Sequence, residues 1–183
     1  MAGIALRQSM DAQPAAVTVW TSGDADHPFF EACRADSINC IEQTDGDLGA
    51  RMADCLNTML ASYQAVLLIG SDCPAMTSAH LQQAADALLN SPQAALIFTP
   101  AEDGGYVLVG AQRDQDGVLD SAAFQAFENI EWSSSRVMAQ TRQRLAALGW
   151  QQGVQWLEMP PLWDVDTTDD YQRAVEAGLL PEE

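Results

Sequence analysis

Residues 65–74, with the sequence AVLLIGSDCP, decide the fold class of this chain. The first five residues form the most apolar strand-like run, and the next five are rich in turn formers. Asp72 is thereby placed where a buried strand leaves its sheet, and in open α/β sheets ligands bind at that carboxyl edge. Taken alone, the motif fits an ordinary turn as well as it fits a metal-binding loop.

Strand and helix patterns alternate along the whole chain. Strand-like runs occupy residues 16–20, 38–41, 65–69, 94–99, 106–110 and 154–159. Helical spacing occupies residues 27–35, 48–62 and 78–89, a segment capped by Ser133 to Ser135 that runs to Leu148, and a last segment capped by Thr167 or Thr168. This alternation predicts a mostly parallel sheet sandwiched by helices, with a hairpin or returning strand at residues 100–105.

The charge of the chain excludes several classes of partner. The sequence has 26 acidic residues against 8 arginines and no lysine, for a net charge of −18. Such a field opposes binding to nucleic acid and to anionic membranes. No apolar stretch is long enough to span a bilayer and no signal-peptide pattern is present, so we expect a cytoplasmic protein. The spacing of the four cysteines favours reduced, mostly buried thiols.

A second acidic motif, Asp164 and Asp166, follows the last strand-like run. In an extended segment these side chains fall on one face, where together with Asp72 they could bind Mg²⁺ or Mn²⁺. Capping of the last helix by Asp166 or Thr167 explains the pattern equally well.

Two glycine-containing segments are weaker candidates for a site. Asp103, Gly104 and Gly105 have turn chemistry, but the glycines would also let the backbone approach a ligand closely. Residues 43–49 open a helix, the position at which free N–H groups and the helix dipole favour anions. An isolated tryptophan, Trp132, could stack on a base or a sugar, although such residues more often belong to the core.

Four segments, in this order, resemble the signatures of the DUF2064 family. They are QTDGDLGARM at 43–52, IGSDCP at 69–74, PAEDGGY at 100–106 and DVDT at 164–167. The resemblance implies a three-layer α/β/α sandwich of the glycosyltransferase-A, or nucleotide-diphosphosugar transferase, type. It also implies a relationship to the phospholactate guanylyltransferase-type nucleotidyltransferases.

The resemblance further implies roles for individual residues. The implied metal ligands are Asp72, Asp164 and Asp166. The residues expected to bind the nucleotide are Gln43, Gly46, Asp47 and Gly49, with Arg51 the arginine nearest to a motif. Gly104 and Gly105 would lie on the acceptor side, and the loop position of Asp103 makes it our candidate general base.

The start of the chain departs from this family pattern. Relatives open with a strand and a basic, glycine-containing loop, whereas Met1 to Arg7 match the helix that follows that loop. We therefore expect residues 1–183 to form one nucleotide-diphosphosugar-transferase-like domain that is incomplete at its N-terminus, or a degenerate member with impaired catalysis. A missing central strand would leave backbone edges unpaired and open to pairing in a homo-oligomer.

The sequence favours a divalent-metal-dependent transferase that acts on a nucleotide-sugar and a small acceptor. One alternative is a nucleotidyltransferase, which would bind a triphosphate and release pyrophosphate. The other is a catalytically silent module that binds a nucleotide or a protein partner.

Overall fold

The fold is a chain of alternating helices and strands, known from a computed structural model that describes residues 1–23, 26–114, 116–118 and 120–181. The strands are β1 (Thr18–Thr21), β2 (Asn39–Glu42), β3 (Ala65–Ile69), β4 (Leu96–Pro100), β5 (Tyr106–Gln112) and β6 (Trp156–Glu158). The helices are α1 (Ala2–Asp11), α2 (Pro28–Ala35), α3 (Leu48–Leu60), α4 (Ser78–Leu89), α5 (Val137–Ala147) and α6 (Thr168–Glu176). A short 3-10 helix, Ser121–Phe127, precedes α5.

The main sheet has four strands in the order β3–β5–β4–β6. Strand β5 is antiparallel to both of its neighbours, and β4 is parallel to β6, so β3, β4 and β6 run in one direction. This mixed sheet agrees with the prediction that parallel strands dominate. The predicted hairpin is also confirmed, because β4 and β5 pair up to Pro100 and Tyr106. Strands β1 and β2 form a separate parallel pair.

Helices cover both faces of the main sheet, which makes the three layers. Successive residues of a strand point to opposite faces. On one face, Leu96 and Phe98 pack with α3, the 3-10 helix and α5. On the other face, Ile97 packs with Leu81 and Leu88 of α4. The predicted α/β/α sandwich is therefore confirmed.

Strand β3 differs from its predicted environment. The sequence predicts a buried strand, yet all five residues of β3 are only partly buried. The reason lies in the sheet order, because β3 is an edge strand that pairs with β5 alone among the strands of the described residues. The end of β3, which carries the Asp72 loop, consequently lies at the border of the sheet.

The start of α5 corrects a predicted helix cap. Residue Arg136 occupies the cap position without a side-chain cap hydrogen bond. The hydroxyl of Ser134 donates to the carbonyl of Glu131 and accepts from the amide of Arg136 at 3.3 Å, just before the helix. The amide of Met138 in the first turn donates to the carbonyl of Gly104 at 2.8 Å. The β4–β5 turn thus satisfies a helix end that the serines were predicted to cap.

The cysteines agree with the sequence analysis. All four are free thiols, and Cys33, Cys55 and Cys73 are buried.

Among the residues that the structure describes, no helix combines the length and the apolar character needed to cross a membrane.

Gly104 generates a prediction about the packing of the β4–β5 turn. Its φ is +98°, and a Cβ at this position would lie 2.1 Å from the carbonyl oxygen of Ser135. Gly149 is the matched control, because its φ is +77° and nothing lies within 4 Å of an added Cβ. We expect Gly149→Ala to cost about 1 to 2 kcal/mol for the left-handed backbone alone. Gly104→Ala should cost about 1 to 3 kcal/mol more, because the backbone of Ser135 must move.

Denaturant unfolding of the two variants measures this difference. Equal losses of stability would show that the contact between Gly104 and Ser135 does not constrain the turn.

Candidate functional site

The loop after β3 lies against the segment after β6. The amide of Val165 donates to the carbonyl of Asp72 at 3.0 Å, and the thiol of Cys73 donates to the carbonyl of Trp163 at 3.2 Å. Burial raises the pKa of the Cys73 thiol to about 11, so this group stays protonated and acts as a hydrogen-bond donor. The two acidic motifs that the sequence places far apart therefore meet at one edge of the sheet.

The turn between β4 and β5 reaches the same edge. The amide of Glu102 donates to the carbonyl of Leu162 at 2.9 Å, and the amide of Leu162 donates to the carbonyl of Pro100 at 3.0 Å. Within the turn, the side chain of Asp103 accepts a hydrogen bond from the amide of Gly105 at 2.8 Å. Backbone pairing thus aligns the turn that carries Asp103 with the segment that carries Asp164.

Three carboxylates converge at this junction. Asp103, Asp164 and Asp166 each offer an oxygen atom, and these oxygens all lie within 4.8 Å of one another. Two oxygens that share one Mg²⁺ or Ca²⁺ at about 2.1 to 2.5 Å are separated by at most about 4 to 5 Å. The donor set and its spacing therefore fit one hard divalent cation.

The electrostatics of the cluster show uncompensated negative charge. The pKa of Asp164 rises from 3.8 to about 6, first because burial desolvates the carboxylate and then because Asp103, Asp166 and Asp72 repel it. The pKa of Asp166 rises for the same reasons, with desolvation again the largest cause. A bound cation would relieve this repulsion.

The cluster contains Asp103 in place of Asp72, which the resemblance implies as the third metal ligand. Asp72 contributes its carbonyl oxygen to Val165 and its charge to the cluster, but its carboxylate is not among the three oxygens that converge. An added Cβ on Gly70 would lie 2.6 Å from Oδ1 of Asp72, so this carboxylate lies close to its own loop. Asp103, which the sequence analysis treats as a candidate base, is the third carboxylate that converges with Asp164 and Asp166.

The start of α6 shows whether Asp166 or Thr167 caps this helix. Thr167 caps α6 in a capping box with Asp170, whose side chain accepts hydrogen bonds from the amides of Thr167 and Asp166. The side chain of Asp166 is therefore not the cap of α6. It belongs to the carboxylate cluster instead.

The predicted nucleotide segment, residues 43–51, has local structural roles. The amide of Gln43 donates to the carbonyl of Thr21, and its side chain donates to the carbonyl of Trp20. The side chain of Asp47 caps α3 by accepting from the amide of Ala50 at 2.8 Å. Gly46 precedes this cap with a φ of +124°. These contacts place the opening turn of α3.

Two residues in the first turn of α3 have different environments. An added Cβ on Gly49 would lie 2.7 Å from the carbonyl oxygen of Phe127 and 2.8 Å from the ring of Trp132. Gly49 is therefore required for packing. The Nε of Arg51 is buried and has no hydrogen-bond partner among the described residues, and Arg51 forms no ion pair with them. Within the described part of the chain, its guanidinium therefore has no carboxylate partner.

One connecting segment, residues 132–135, links parts of the candidate site through contacts that the sequence did not predict. Trp132 contacts Gly49, and its ring makes an edge-to-face contact with the ring of Tyr106 at a centroid distance of 6.3 Å. Ser135, three residues later, contacts Gly104. Residues 132–135 therefore join the first turn of α3 to the turn that carries Asp103. The serines and Trp132 hint at a structured loop, but no sequence signal specifies these long-range contacts.

Comparison with solved structures supports the fold assignment. A protein of Desulfovibrio desulfuricans G20, provisionally assigned as a nucleotide-diphospho-sugar transferase, is 27% identical, with a TM-score of 0.69 over 90% of this chain and 67% of its own. A cytidylyltransferase from Leptospira borgpetersenii is 15% identical, with a TM-score of 0.60 over 93% of this chain and 71% of its own.

A third solved structure has the same fold. It is glucosyl-3-phosphoglycerate synthase from Mycobacterium tuberculosis in complex with Mn²⁺, UDP-glucose and phosphoglyceric acid. It is 12% identical, with a TM-score of 0.59 over 98% of this chain and 73% of its own.

Sequence comparison gives the family. No curated protein matches the chain. The family model described as "Uncharacterized protein conserved in bacteria (DUF2064)" matches residues 5–134, which is more than half of the chain. The fold agrees with this match, which includes the first three of the four ordered motifs, and the chain therefore belongs to the DUF2064 family.

Proposed function

We propose that the protein is a divalent-metal-dependent transferase that acts on a nucleotide-sugar. The observation that carries this proposal is the convergence of Asp103, Asp164 and Asp166 from two separate segments at one sheet edge. The likeness to the Desulfovibrio protein assigned as a nucleotide-diphospho-sugar transferase supports it. So does the synthase that shares the fold and whose structure contains Mn²⁺ and UDP-glucose.

The three converging carboxylates would hold Mg²⁺ or Mn²⁺. When bound, the cation would neutralise the diphosphate of the nucleotide-sugar and orient it as a leaving group. Asp72 adds negative charge to this site, and direct ligation by Asp72 would require its carboxylate to turn away from Gly70. The geometry thus favours Asp103 over Asp72 as the third ligand. An Asp103 that binds the cation is a weaker base, so we propose the ligand role for it in place of general-base catalysis.

The remaining candidate residues complete the proposed substrate site. Arg51, which forms no ion pair with the described residues, would contribute its charge to a phosphate, and charge-assisted hydrogen bonds of this kind are strong. The residues proposed to shape the nucleotide pocket around it are Gln43, Gly46, Asp47 and Gly49. Gly104 and Gly105 would lie on the acceptor side, next to the cation ligand Asp103.

A nucleotidyltransferase is the second candidate, and the likeness to the Leptospira cytidylyltransferase favours it. The same carboxylates would then hold the cation of a nucleoside triphosphate. The products separate the two reactions, because glycosyl transfer releases a nucleoside diphosphate and nucleotidyl transfer releases pyrophosphate. Assays for both products, with UDP-glucose and CTP as donors, would distinguish them.

The metal requirement can be tested by thermal unfolding with UDP-glucose, with and without Mn²⁺. We expect UDP-glucose to raise the unfolding midpoint only when Mn²⁺ is present, because the cation must offset the charge of the diphosphate. A hundredfold excess of ligand over its Kd corresponds to about 2.7 kcal/mol of added stability. Asp164→Asn should lose this increase.

Asp169→Asn is the matched control for this experiment. It removes one exposed carboxylate from the first turn of α6, outside the cluster, and should keep the response to Mn²⁺. A response that is the same with and without Mn²⁺, or that survives in Asp164→Asn, would contradict the proposed site.

The raised pKa of Asp164 predicts a pH dependence of stability in EDTA. Because the folded-state pKa of about 6 lies above the unfolded value, the folded protein loses stability as the pH rises from about 4 through 6. Asp164→Asn should therefore raise the unfolding midpoint at pH 7 to 8 and have little effect at pH 4.

Asp170 provides a control of opposite sign for this pH profile. Its pKa is lowered by hydrogen bonds from Thr167, so its contribution is present at neutral pH and is lost as the pH falls through its folded-state pKa. Asp170→Asn should lower the midpoint at pH 7. Identical pH profiles for the Asp164 variant and the unmodified protein would show that the cluster is not electrostatically strained.

A further inference from the structure

Arg173 connects the two segments that carry the cluster. From α6 it makes a two-pronged ion pair with Glu102, with Nη1–Oε2 and Nη2–Oε1 distances of 2.7 and 3.2 Å. The centre of its guanidinium also lies 4.2 Å from the centroid of the Trp163 ring. Glu102 directly precedes Asp103, and Trp163 directly precedes Asp164. A single side chain therefore contacts the neighbours of two carboxylates in the cluster.

The helix that bears Arg173 also binds the backbone of Asp166, the residue that carries the third carboxylate. The side chain of Asp170 accepts a hydrogen bond from the amide of Asp166 at 3.3 Å, one turn before Arg173. The chain of contacts runs from Asp166 through Asp170 and α6 to Arg173, and then to Glu102. These contacts link the segment that carries Asp166 to the β4–β5 turn that carries Asp103.

We propose that Arg173 is a positioning residue, which holds Asp103 at the distance from Asp164 and Asp166 that lets all three share one cation. This inference rests on the proposed function. Arg173 lies beyond the residues matched by the family model, and none of the sequence motifs includes it.

The direction in which cation affinity changes when Arg173 is replaced distinguishes a positioning role from a purely electrostatic one. Arg173 is a cation near an anionic site, so through-space electrostatics alone predict that its removal strengthens cation binding. Positioning predicts the opposite, because a turn released from α6 lets Asp103 drift away from its partners. Loss of a group that orients metal ligands typically weakens metal binding by about tenfold or more.

Because the Arg173–Glu102 ion pair is exposed, a loss of cation affinity in its variants can be distinguished from a loss of global stability. The side chains of Arg173 and Glu102 are 48% and 53% exposed, and exposed ion pairs contribute little to the free energy of folding. The variants should therefore fold with nearly unchanged unfolding midpoints. Any large change in cation affinity would then report on the local arrangement of the carboxylates.

The chain offers a matched control in Arg142 and Glu158. This pair is also two-pronged, through Nε and Nη2 of Arg142 at 3.1 and 2.7 Å, and it joins α5 to β6. Neither residue contacts the loop of Asp72, the β4–β5 turn or α6 through a described hydrogen bond or ion pair. Arg142→Met should leave cation affinity unchanged.

The experiment is calorimetric titration of Mn²⁺ alone into the protein and its variants at pH 7.5. We expect Arg173→Met to weaken Mn²⁺ binding by about tenfold. Arg173→Lys should also weaken it, because an ammonium keeps the charge but has neither the planar fork nor the flat surface that stacks on Trp163. In the double variant with Glu102→Gln, the loss should be smaller than the product of the two single losses, since both remove the same contact.

Each outcome has a separate meaning. If the unmodified protein does not bind Mn²⁺, the proposed function fails. If it binds Mn²⁺ and Arg173→Met binds equally or more tightly, the function stands and the positioning role is wrong. A loss of the same size in Arg142→Met would also overturn the positioning role, because it would show a general effect of losing an ion pair.

Discussion

Mutual repulsion of closely spaced carboxylates is the constraint on which the site depends. Asp103, Asp164 and Asp166 would separate if their loops were free, because their charges repel one another. The pKa of Asp164 is raised first by burial and then by this repulsion. The backbone supplies the opposing force, through hydrogen bonds that link Glu102 to Leu162 and Val165 to Asp72. The folded chain therefore holds the carboxylates close before any cation arrives, which is the preorganisation that a binding site needs.

The sheet provides the rigid base for this arrangement. Strand β3 leads into the Asp72 loop, the β4–β5 hairpin carries Asp103, and the segment after β6 continues beside β4 as far as Leu162. Apolar cores on both faces hold these strands in register. Packing of Gly104 against Ser135 and of Gly49 against Trp132 then couples the hairpin to α3 and α5. Small residues at these contacts serve close packing, and the ligand contacts expected for both stay predictions.

Sequence patterns predicted the parts of the site that depend on strand ends. Residues 65–69 are a strand as predicted, and Asp72 meets the later acidic pair because parallel strands end at the same edge. The third carboxylate could not be chosen this way, since the rotation of Asp72 toward Gly70 is a local property of the loop. The prediction of a serine cap for α5 was wrong, because the carbonyl of Gly104 accepts the hydrogen bond from the Met138 amide at that helix end. The contact between Arg173 and Glu102 pairs distant exposed residues, which no periodicity encodes.

The residue at which the family match ends affects how members of the family should be compared. The matched stretch ends at residue 134, so it includes Asp72 and Asp103 but stops before Asp164, Asp166 and Arg173. Membership of the family therefore reports only one part of the carboxylate cluster. A related chain can satisfy the family pattern in full and still lack the acidic pair that would complete a cation site. The short segment between β6 and α6, which lies outside the family match, is therefore where related chains should be compared for the acidic pair.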